Sequence, residues 1–416
     1  MKQKALSGVK VLDLTHYIAG PYCTKLLADY GAEVIKIERP GLGDGSRRVG
    51  PFYGDDPHPE KSGHFLYLNT NKLGVTLNMK SRTGIKIIKQ LVKESDILVE
   101  NFSPGVMERL GLDYDVLKKI NPKIIMMSMP ALGSSGPDKD YLAFGQTIDC
   151  LSGMDYRTGY EGEEPMLQSG LSYGDPLSGM NAAFACLSGL RHRNRTGQGM
   201  HMELSQVEGL IAFNADAVMD YTMNGRVQER MGNRHPSMTP HNCYPCRGEN
   251  QWVTIAIPSD AAWKRFCEAI ENPSLSEDSR FSDPLSRVDN RKELDDIIGE
   301  WTLKRDHYKV MQILQDADVP AGPVLNAKEL LEDPHLNERG IFETVDHPVA
   351  GPHPYVGMYA KLSKTPGSIR KAAPCLGEDN GYVLGELLGV SEEEIDQLEK
   401  DGIIGTDPVG GVRSRQ

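Results

Sequence analysis

Length, composition and charge limit what this chain can be. Its 416 residues are too many for one compact core, so two or three domains are expected. A net charge of -12 disfavours a general nucleic-acid binder, and 25% charged with 39% hydrophobic residues is ordinary globular composition. No stretch approaches the ~20 apolar residues of a membrane helix, and the N-terminus lacks the apolar segment of a signal peptide. Seven cysteines, an odd number, favour a reducing cytoplasm.

The first 205 residues alternate between strand and helix patterns. The runs with strand character are VKVLDL (9–14), EVIKIE (33–38), DILVEN (96–101) and KIIMMSM (123–129). Strands that alternate with helices at this spacing predict parallel βαβ units with helices on both faces of the sheet. Ligands bind beyond the carboxyl ends of such strands, so a site is expected in the segments that follow them.

Two phosphate-binding fingerprints are missing from the sequence. No G-x-G-x-x-G opens a helix after the first strand, and no G-x-x-x-x-G-K-[ST] occurs. Nicotinamide, flavin and ATP therefore lack their main sequence support as ligands.

The pattern changes after residue 205. A helical run and a polar, irregular stretch come first, and a second α/β unit begins with WVTIAI (252–257). The predicted division is a large domain (1–205), a linker (206–240), a small domain (241–328), a second linker (329–355) and a C-terminal part that returns to the large domain (356–416). In HNCYPC, the residues His241, Cys243 and Cys246 have the spacing of half a zinc site. No second ligand pair follows, so no metal is predicted.

Asp175 has a role that the residues alone leave open. After it, apolar side chains recur at helical spacing: Leu177, Met180, Phe184, Leu187 and Leu190. One interpretation makes Asp175 the N-cap of that helix and Pro176 its first residue. The other makes it a carboxylate nucleophile, which the helix dipole keeps ionised and to which Gly174 and Gly179 give room.

Stretches of distinctive sequence occur along nearly the whole chain. They include GVKVLDLTHYIAGPYCTKLLADYGAEVIKIERPGLGDGSR, DILVENFSPGVMERLGLDYDVLKKINPKIIMMSM, GDPLSGM, RTGQGMHMELSQVEG and PCLGEDN. In this order they resemble the class III CoA-transferases, the family of formyl-CoA:oxalate and crotonobetainyl-CoA:carnitine CoA-transferases. The resemblance implies an α/β fold, with a Rossmann-like large domain built on a parallel sheet and a smaller α/β domain. It also implies an interlocked homodimer, with a heteromer as the alternative.

The resemblance further implies a function for Asp175. This residue matches the family's nucleophile, which attacks an acyl-CoA donor such as succinyl-CoA. An aspartyl mixed anhydride and then an aspartyl-CoA thioester carry the transfer of CoA to a free carboxylic acid. Coenzyme A and acyl-CoA are substrates in this scheme and no cofactor is bound tightly. The partners are acyl-CoA and a carboxylic acid, with no nucleic acid and no membrane.

Nine further positions match the family's contacts with CoA. Arg39 and Arg109 would meet phosphates, which suit a guanidinium fork. The other positions would flank the adenine or line the path of the thiol arm: Leu77, Met79 and Lys80 for the adenine, and Ile18, Ala19, Asn101 and Phe102 for the arm. Without the resemblance, solvated surface charges and a core aromatic residue would be the favoured interpretation.

Departures from the family pattern bear on the acceptor acid. Ala143, Phe144 and Gly145 stand where formyl-CoA transferases have a Lys and a Tyr, and Ile18 replaces a Gln near the thioester. The glycine-rich loop that covers a small acid in those enzymes is missing from YPCRGENQWVTIAI. Oxalate is therefore disfavoured, and a bulkier acid is expected that is carnitine-like, bile-acid-like or benzylsuccinate-like.

Three alternatives to the transferase remain open. An α-methylacyl-CoA racemase has a similar Asp, but Gln146 stands where its catalytic His would be, so one of its two bases is missing. If water reaches the aspartyl anhydride, the same residues give an acyl-CoA hydrolase. A CoA-binding subunit of a heteromeric transferase would share the fold.

Overall fold

The computed structural model describes residues 4–166 and 172–408. The chain divides into two compact units. The large unit comprises Met1–Met154, Leu167–Arg226 and Arg339–Gln416, and the small unit comprises Asp155–Met166 and Val227–Glu338. The linker and domain boundaries expected from the sequence stay predictions.

Six parallel strands form the main sheet of the large unit. They are β1 Lys10–Asp13, β2 Glu33–Glu38, β3 Lys72–Thr76, β4 Ile97–Glu100, β5 Ile125–Ser128 and β6 Met200–Glu203. Their spatial order is β3-β2-β1-β4-β5-β6, which is the order of doubly wound dinucleotide-binding folds. The predicted parallel, Rossmann-like sheet is thus confirmed. The order reverses between β1 and β4, and such a switch point is where ligands bind in open α/β sheets.

Helices cover both faces of this sheet. In chain order the helices up to residue 224 are α1 Ala19–Asp29, α2 Gly63–Leu68, α3 Arg82–Glu94, α4 Val106–Leu110, α5 Tyr114–Ile120, α6 Gly145–Leu151, α7 Met154–Arg157, α8 Gly174–Thr196, α9 Gln206–Phe213 and α10 Ala215–Asn224. Successive strand residues point to opposite faces. Leu12 and Leu98 therefore pack with α3 and α5, whereas Val11 and Ile97 pack with α1 and α8.

The small unit is built on three antiparallel strands in the order β7-β8-β9. The strands are β7 His241–Pro245, β8 Trp252–Ala256 and β9 Ala321–Pro323. Its helices are α11 Asp260–Ala269, α12 Pro284–Asp289, α13 Arg291–Thr302, α14 His307–Asp316, α15 Ala327–Glu332 and α16 Pro334–Glu338. Trp263, Phe266 and Ile298 lie in its own hydrophobic core, so the expected smaller α/β unit is confirmed.

The C-terminal part completes the large unit. A hairpin of β10 Phe342–His347 and β11 Gly351–Val356 comes first, and a π-helical turn (Tyr382–Leu387) and α17 Glu392–Lys400 follow. Val383, Leu384 and Ile403 are buried in the same core as β1 and α3. No helix in the described part of the chain is long and apolar enough to cross a membrane.

Candidate active site

A cleft of about 550 Å³ lies beyond the carboxyl ends of the parallel strands. Its walls come from the segments after β1, β2 and β4 and from the first residues of α6 and α8. Much of the lining is apolar: Ile18, Val49, Phe102, Leu142, Phe144 and Ile148. The side chains of His16, His64 and Lys139 supply nitrogen donors, and Asp175 is the carboxylate that lines the cleft.

Asp175 is the second residue of α8 and not its N-cap. The helix begins at Gly174, and the capping position belongs to Tyr173, which makes no side-chain capping hydrogen bond. The interpretation of Asp175 as the N-cap is therefore wrong, because the helix starts two residues before Pro176, its expected first residue. Pro176 still lies in the first turn, where a missing N–H breaks no intrahelical bond. The Asp175 carboxylate is thus left to face the cleft.

Burial makes the Asp175 carboxyl unusually basic. Loss of solvation, and after it the negative charge of Asp149, raises its pKa to about 6. Asp149 is 4% exposed, and its Oδ1 accepts the main-chain N–H of Gly174 at 3.0 Å. No hydrogen-bond donor from the described residues meets the Asp175 carboxylate. At neutral pH this group is mostly ionised, yet it is held in an environment that favours its neutral form.

Glycines let other segments approach Asp175 closely. A Cβ atom on Gly145 would collide with Asp175 Oδ2 and with the side chain of Ser172. One on Gly179 would lie 2.7 Å from the carbonyl oxygen of Ala19. The start of α6 therefore packs closely against the Asp175 carboxylate, and α8 packs closely against the start of α1, because Gly145 and Gly179 lack side chains.

The segment between β1 and α1 is fixed by the side-chain amide of Asn101. Its Oδ1 accepts the His16 N–H and its Nδ2 donates to the His16 carbonyl oxygen, both at 2.9 Å. Next to it, Glu100 is buried, and its carboxylate accepts the Phe102 N–H at 2.8 Å. Burial raises the pKa of Glu100 to about 7. Asn101 and Phe102 are therefore both held by bonds within the protein.

A buried ion pair fixes the next residue of the same segment. Asp44 Oδ1 accepts the Tyr17 N–H at 3.0 Å, and Tyr17 has a φ of 66°, in the left-handed region. Lys36 Nζ lies 2.8 Å from Asp44 Oδ2, with both side chains fully buried. Burial alone would raise the pKa of Asp44, but the Lys36 ammonium outweighs it and holds that pKa well below its usual range. Asp44 is thus a permanent acceptor for the strained turn before Ile18.

The residues predicted to contact CoA are distributed unevenly around the cleft. Ile18, Asn101 and Phe102 line it together with Asp175. The other six predicted positions do not line it: Ala19, Arg39, Leu77, Met79, Lys80 and Arg109. Their exposure differs, because the cations are exposed while Ala19 and Leu77 are each 1% exposed and packed in the core.

One group of side chains among the described residues has the make-up of a metal site. It consists of Glu60, His347 and Cys375. The His347 Nδ1 accepts the N–H groups of Val349 and Ala350, so the ring's proton resides on Nε2, the nitrogen a metal would need. Burial also raises the pKa of the Cys375 thiol to about 12. These states oppose metal binding.

Comparison with known proteins gives this fold and cleft a family. The model of CoA-transferase family III matches residues 6–380. The succinyl-CoA–D-citramalate CoA-transferase of Chloroflexus aurantiacus is 34% identical over 401 residues, which cover 96% of this chain and 98% of the relative. The formyl-CoA:oxalate CoA-transferase of Afipia carboxidovorans is 33% identical over 427 residues, covering 98% and 99%.

A solved structure agrees with the sequence relatives. The crystal structure of a CaiB/BaiF family protein from Brucella suis matches with a TM-score of 0.84 and 29% identity, over 93% of this chain and all of that one. The Rossmann-like sheet and the full-length matches define an enzyme that transfers coenzyme A. The chain belongs to CoA-transferase family III.

Several residues of the cleft were not found by sequence reasoning. Asp149 and Ser172 come next to Asp175 from different segments, and no motif singled out either of them. His64 lines the cleft from α2, and Asp44 acts through a main-chain bond. Each of these residues is identified only by its position near the site in the folded chain, and its spacing in the sequence does not predict that position.

Proposed function

We propose that this enzyme moves CoA from an acyl-CoA donor such as succinyl-CoA to a free carboxylic acid, with Asp175 as its covalent nucleophile. The observation that carries the proposal is the state of that carboxylate. It lines an apolar cleft at the start of α8, and its pKa is raised to about 6 by burial and by Asp149. Such a group is ionised at neutral pH and more basic than an ordinary carboxylate, so it is a better nucleophile.

The first half of the reaction replaces the donor acid by the enzyme. The Asp175 carboxylate attacks the thioester carbonyl, a C–O bond forms, the C–S bond breaks and CoA leaves as a thiolate. The thiolate then attacks the Asp175 carbonyl, a C–S bond forms, and the anhydride C–O bond breaks to release the donor acid. The enzyme is left as an Asp175–CoA thioester, and no net proton has moved.

The second half repeats these steps with the acceptor acid. Its carboxylate attacks the Asp175 thioester and expels the thiolate, which then takes the acceptor acyl group from the new anhydride and restores Asp175. Acylation replaces a buried charge with a neutral group, so it removes the electrostatic strain that raises the pKa of Asp175. Since one activated acyl group is exchanged for another, no nucleotide is consumed.

The acceptor is proposed to be an acid bulkier than oxalate, of the carnitine, bile-acid or benzylsuccinate type. The apolar side chains of Ile18, Phe102 and Ile148 in the cleft support an acid with hydrocarbon bulk. One relative is named for D-citramalate, a substituted succinate, so substituted succinates such as benzylsuccinate are the first acids to test. Another relative is named for oxalate, which makes oxalate the necessary comparison.

The CoA moiety is proposed to use the residues that the family pattern indicates. Arg39, Lys80 and Arg109 are exposed, and none makes a side-chain hydrogen bond within the described residues. Exposed cations without partners suit the phosphates of CoA. Leu77 and Met79 lie beside Lys80, and because the Leu77 side chain is in the core, adenine would meet its main-chain atoms.

A homodimer is the proposed assembly. Helices α8, α9 and α10 of the large unit expose apolar side chains that a monomer would leave in water, among them Phe184 (72% exposed), Phe213 (66%) and Met223 (72%). Contiguous exposed apolar surface is typical of a protein interface. Light scattering that finds a stable monomer would contradict this, and co-purification of a second chain would favour the heteromer. The cytoplasmic location stays a prediction.

The test of the proposed chemistry follows an oxygen atom. Purified enzyme is incubated with succinyl-CoA and with each candidate acceptor in ¹⁸O-labelled form: benzylsuccinate, carnitine, a bile acid and, for comparison, oxalate. The peptide that contains Asp175 is then analysed by mass spectrometry. The proposed route returns one acceptor oxygen to Asp175 in each cycle, so the peptide should gain label as product forms. The proposal would be contradicted if product formed while this peptide gained no label, or if Asp175→Asn turned over at the wild-type rate. Release of free thiol without a CoA ester of the acceptor would favour the hydrolase.

A further inference from the structure

The hydroxyl of Ser172 is buried in the cleft without a hydrogen-bond partner. Ser172 is 6% exposed, and its Oγ has no hydrogen-bond partner among the residues that the structure describes. Three hydroxyls in the described part of the chain share this state, those of Thr70, Ser172 and Ser178, and of these only Ser172 lines the cleft. An unsatisfied buried hydroxyl has an unfavourable free-energy cost. In a functional site this cost points to a partner that arrives only during turnover.

The position of Ser172 relative to Asp175 is fixed by Gly145. A single point, where Gly145 would carry a Cβ atom, lies in contact distance of both Ser172 Oγ and Asp175 Oδ2. The two oxygens are therefore near neighbours, and both lie against the bare Cα of Gly145, the first residue of α6. They do not hydrogen bond to each other in the resting state, since Ser172 Oγ has no partner within the described residues.

We propose that Ser172 is a further catalytic residue, whose hydroxyl donates a hydrogen bond to the Asp175 carbonyl oxygen when that group is acylated and attacked. The inference rests on the proposed function, because only a covalently modified Asp175 presents such an oxygen. In two of the four steps the attacked carbonyl belongs to Asp175, and a negative charge develops on its non-bridging oxygen. A preorganised donor at that oxygen lowers the barrier of those two steps. Ser172 transfers no proton and forms no covalent bond.

The geometry also explains why the donor is free in the resting enzyme. A hydroxyl already bonded to the carboxylate would stabilise the ionised form of Asp175 and lower its pKa, and the nucleophile would become less basic. A hydroxyl that is close but unbonded leaves the carboxylate basic for the first attack. It becomes useful once the Asp175 carbonyl carbon turns tetrahedral and its oxygen moves.

The test compares three substitutions in an assay that needs no knowledge of the acceptor. Exchange of labelled succinate into succinyl-CoA passes through all four steps, and the same assay runs with any other acyl-CoA and its own acid if that donor is faster. Ser172→Ala should lower kcat for exchange about 10- to 100-fold while KM for the donor changes less than about threefold. Ser172→Cys keeps the bulk but is a weak donor, so it should remain impaired. Ser178→Ala is the matched control. Ser178 lies in α8 and outside the cleft, and its hydroxyl is also buried without a partner in the described part of the chain.

The outcomes separate this inference from the proposal beneath it. The role of the hydroxyl would be overturned by any of three results for the exchange reaction: a wild-type kcat in Ser172→Ala, a wild-type kcat in Ser172→Cys, or a fall in kcat in Ser178→Ala as large as that in Ser172→Ala. In those cases the proposed function still stands if Asp175→Asn is inactive and the ¹⁸O label enters the Asp175 peptide. If Asp175→Asn retains exchange, the covalent route fails and the role of Ser172 fails with it.

Discussion

Asp149 lies buried beside Asp175 and makes ionisation of the Asp175 carboxyl harder. Its Oδ1 accepts the N–H of Gly174, which fixes it at the start of α8, and its charge adds to the effect of burial in raising the pKa of Asp175 to about 6. A helix N-terminus favours a carboxylate, so two opposed influences act on the same group. The result is a carboxylate that is ionised at neutral pH and still basic.

The first prediction concerns the acid side of the pH profile. The proposed transfer uses ionised Asp175, so kcat/KM for the acyl-CoA donor should rise as the pH increases through about 6. Asp149→Asn removes a neighbouring negative charge and keeps an acceptor for the Gly174 N–H. The pKa of Asp175 should therefore fall, and the acid limb of the pH profile should move to lower pH. The measurement is the pH dependence of kcat/KM for the wild type and this variant.

A second buried carboxyl serves as the control for this profile. Burial raises the pKa of Glu100 to about 7, and Glu100 holds Phe102 in the cleft. Glu100→Gln should leave the limb near pH 6 in place if Asp175 controls it. A limb that vanishes in Glu100→Gln and is unmoved in Asp149→Asn would assign the titration to Glu100 and refute the prediction.

The second prediction is that removal of the charge of Asp175 stabilises the fold. The folded-state pKa of Asp175 is above its ordinary value, so ionisation destabilises the folded protein as the pH rises through about 6. Asp175→Asn is permanently neutral and should increase the free energy of unfolding by about 1–3 kcal/mol at pH 7.5. The gain should disappear near pH 4, where the wild-type carboxyl is also protonated in the folded state.

Thermal unfolding at these two pH values checks the sign. Asp113→Asn is a suitable control, because Asp113 lies outside the cleft, where it caps α5 by accepting the Val116 N–H, and asparagine can accept the same bond. It should gain no stability at either pH. A loss of stability in Asp175→Asn at pH 7.5 would contradict the idea that burial strains the carboxylate.

The sheet was predictable from the sequence where its strands are apolar, and less so elsewhere. Runs such as KIIMMSM stand out, whereas β3 contains Lys72 and Gly74, and β6 alternates exposed with half-buried residues. Lys36 and Lys72 read as surface residues by type, yet both are fully buried because Asp44 and Asp13 pair with them. Charge pairs between distant segments leave no periodic pattern, so sequence reasoning misses them.

Asp175 was singled out by the sequence for a different reason from its surroundings. It lies in a motif that resembles a family, and local helix signals put it at the N-cap, two positions before its place as the second residue of α8. Asp149, Ser172 and Gly145 act on it through contacts that arise only when α6 and α8 pack together. Local sequence indicates the candidate nucleophile, and tertiary packing determines the basicity and the neighbours of its carboxylate.

The third prediction tests the close approach of Gly145 to the nucleophile. A Cβ atom at this position would collide with Asp175 Oδ2 and with Ser172, so Gly145→Ala must displace one of them. We expect kcat to fall about 10- to 100-fold, since a shift of about 1 Å at a reacting group has an effect of this size. Gly299→Ala in α13 is the matched control, because nothing lies within 4 Å of its Cβ position and alanine favours a helix. Equal activity of both variants would show that the contact with Asp175 is unimportant.

The fourth prediction concerns the amide of Asn101 as a clamp on the segment that leads to Ile18. Asn101→Asp keeps the shape and the acceptor for the His16 N–H, but it places a carboxylate oxygen against the His16 carbonyl oxygen. Loss of one buried hydrogen bond and the new repulsion should reduce stability by about 1–3 kcal/mol. Because His16 and Ile18 line the cleft, KM for the acyl-CoA donor should also rise, by about tenfold if about 1.4 kcal/mol of binding is lost.

Asn121 offers a control with the same chemistry outside the cleft. Its Nδ2 donates to the carbonyl oxygens of Val92 and Ser95, at 3.0 and 2.9 Å. Asn121→Asp should therefore lose a similar amount of stability while KM stays at the wild-type value. The comparison separates a general loss of stability from a displaced loop, because only the Asn101 amide holds a segment that faces Asp175. A rise in KM of the same size in both variants would mean that Asn101 has no specific positioning role, and an unchanged KM in Asn101→Asp would mean that its bonds to His16 do not set the geometry of the cleft.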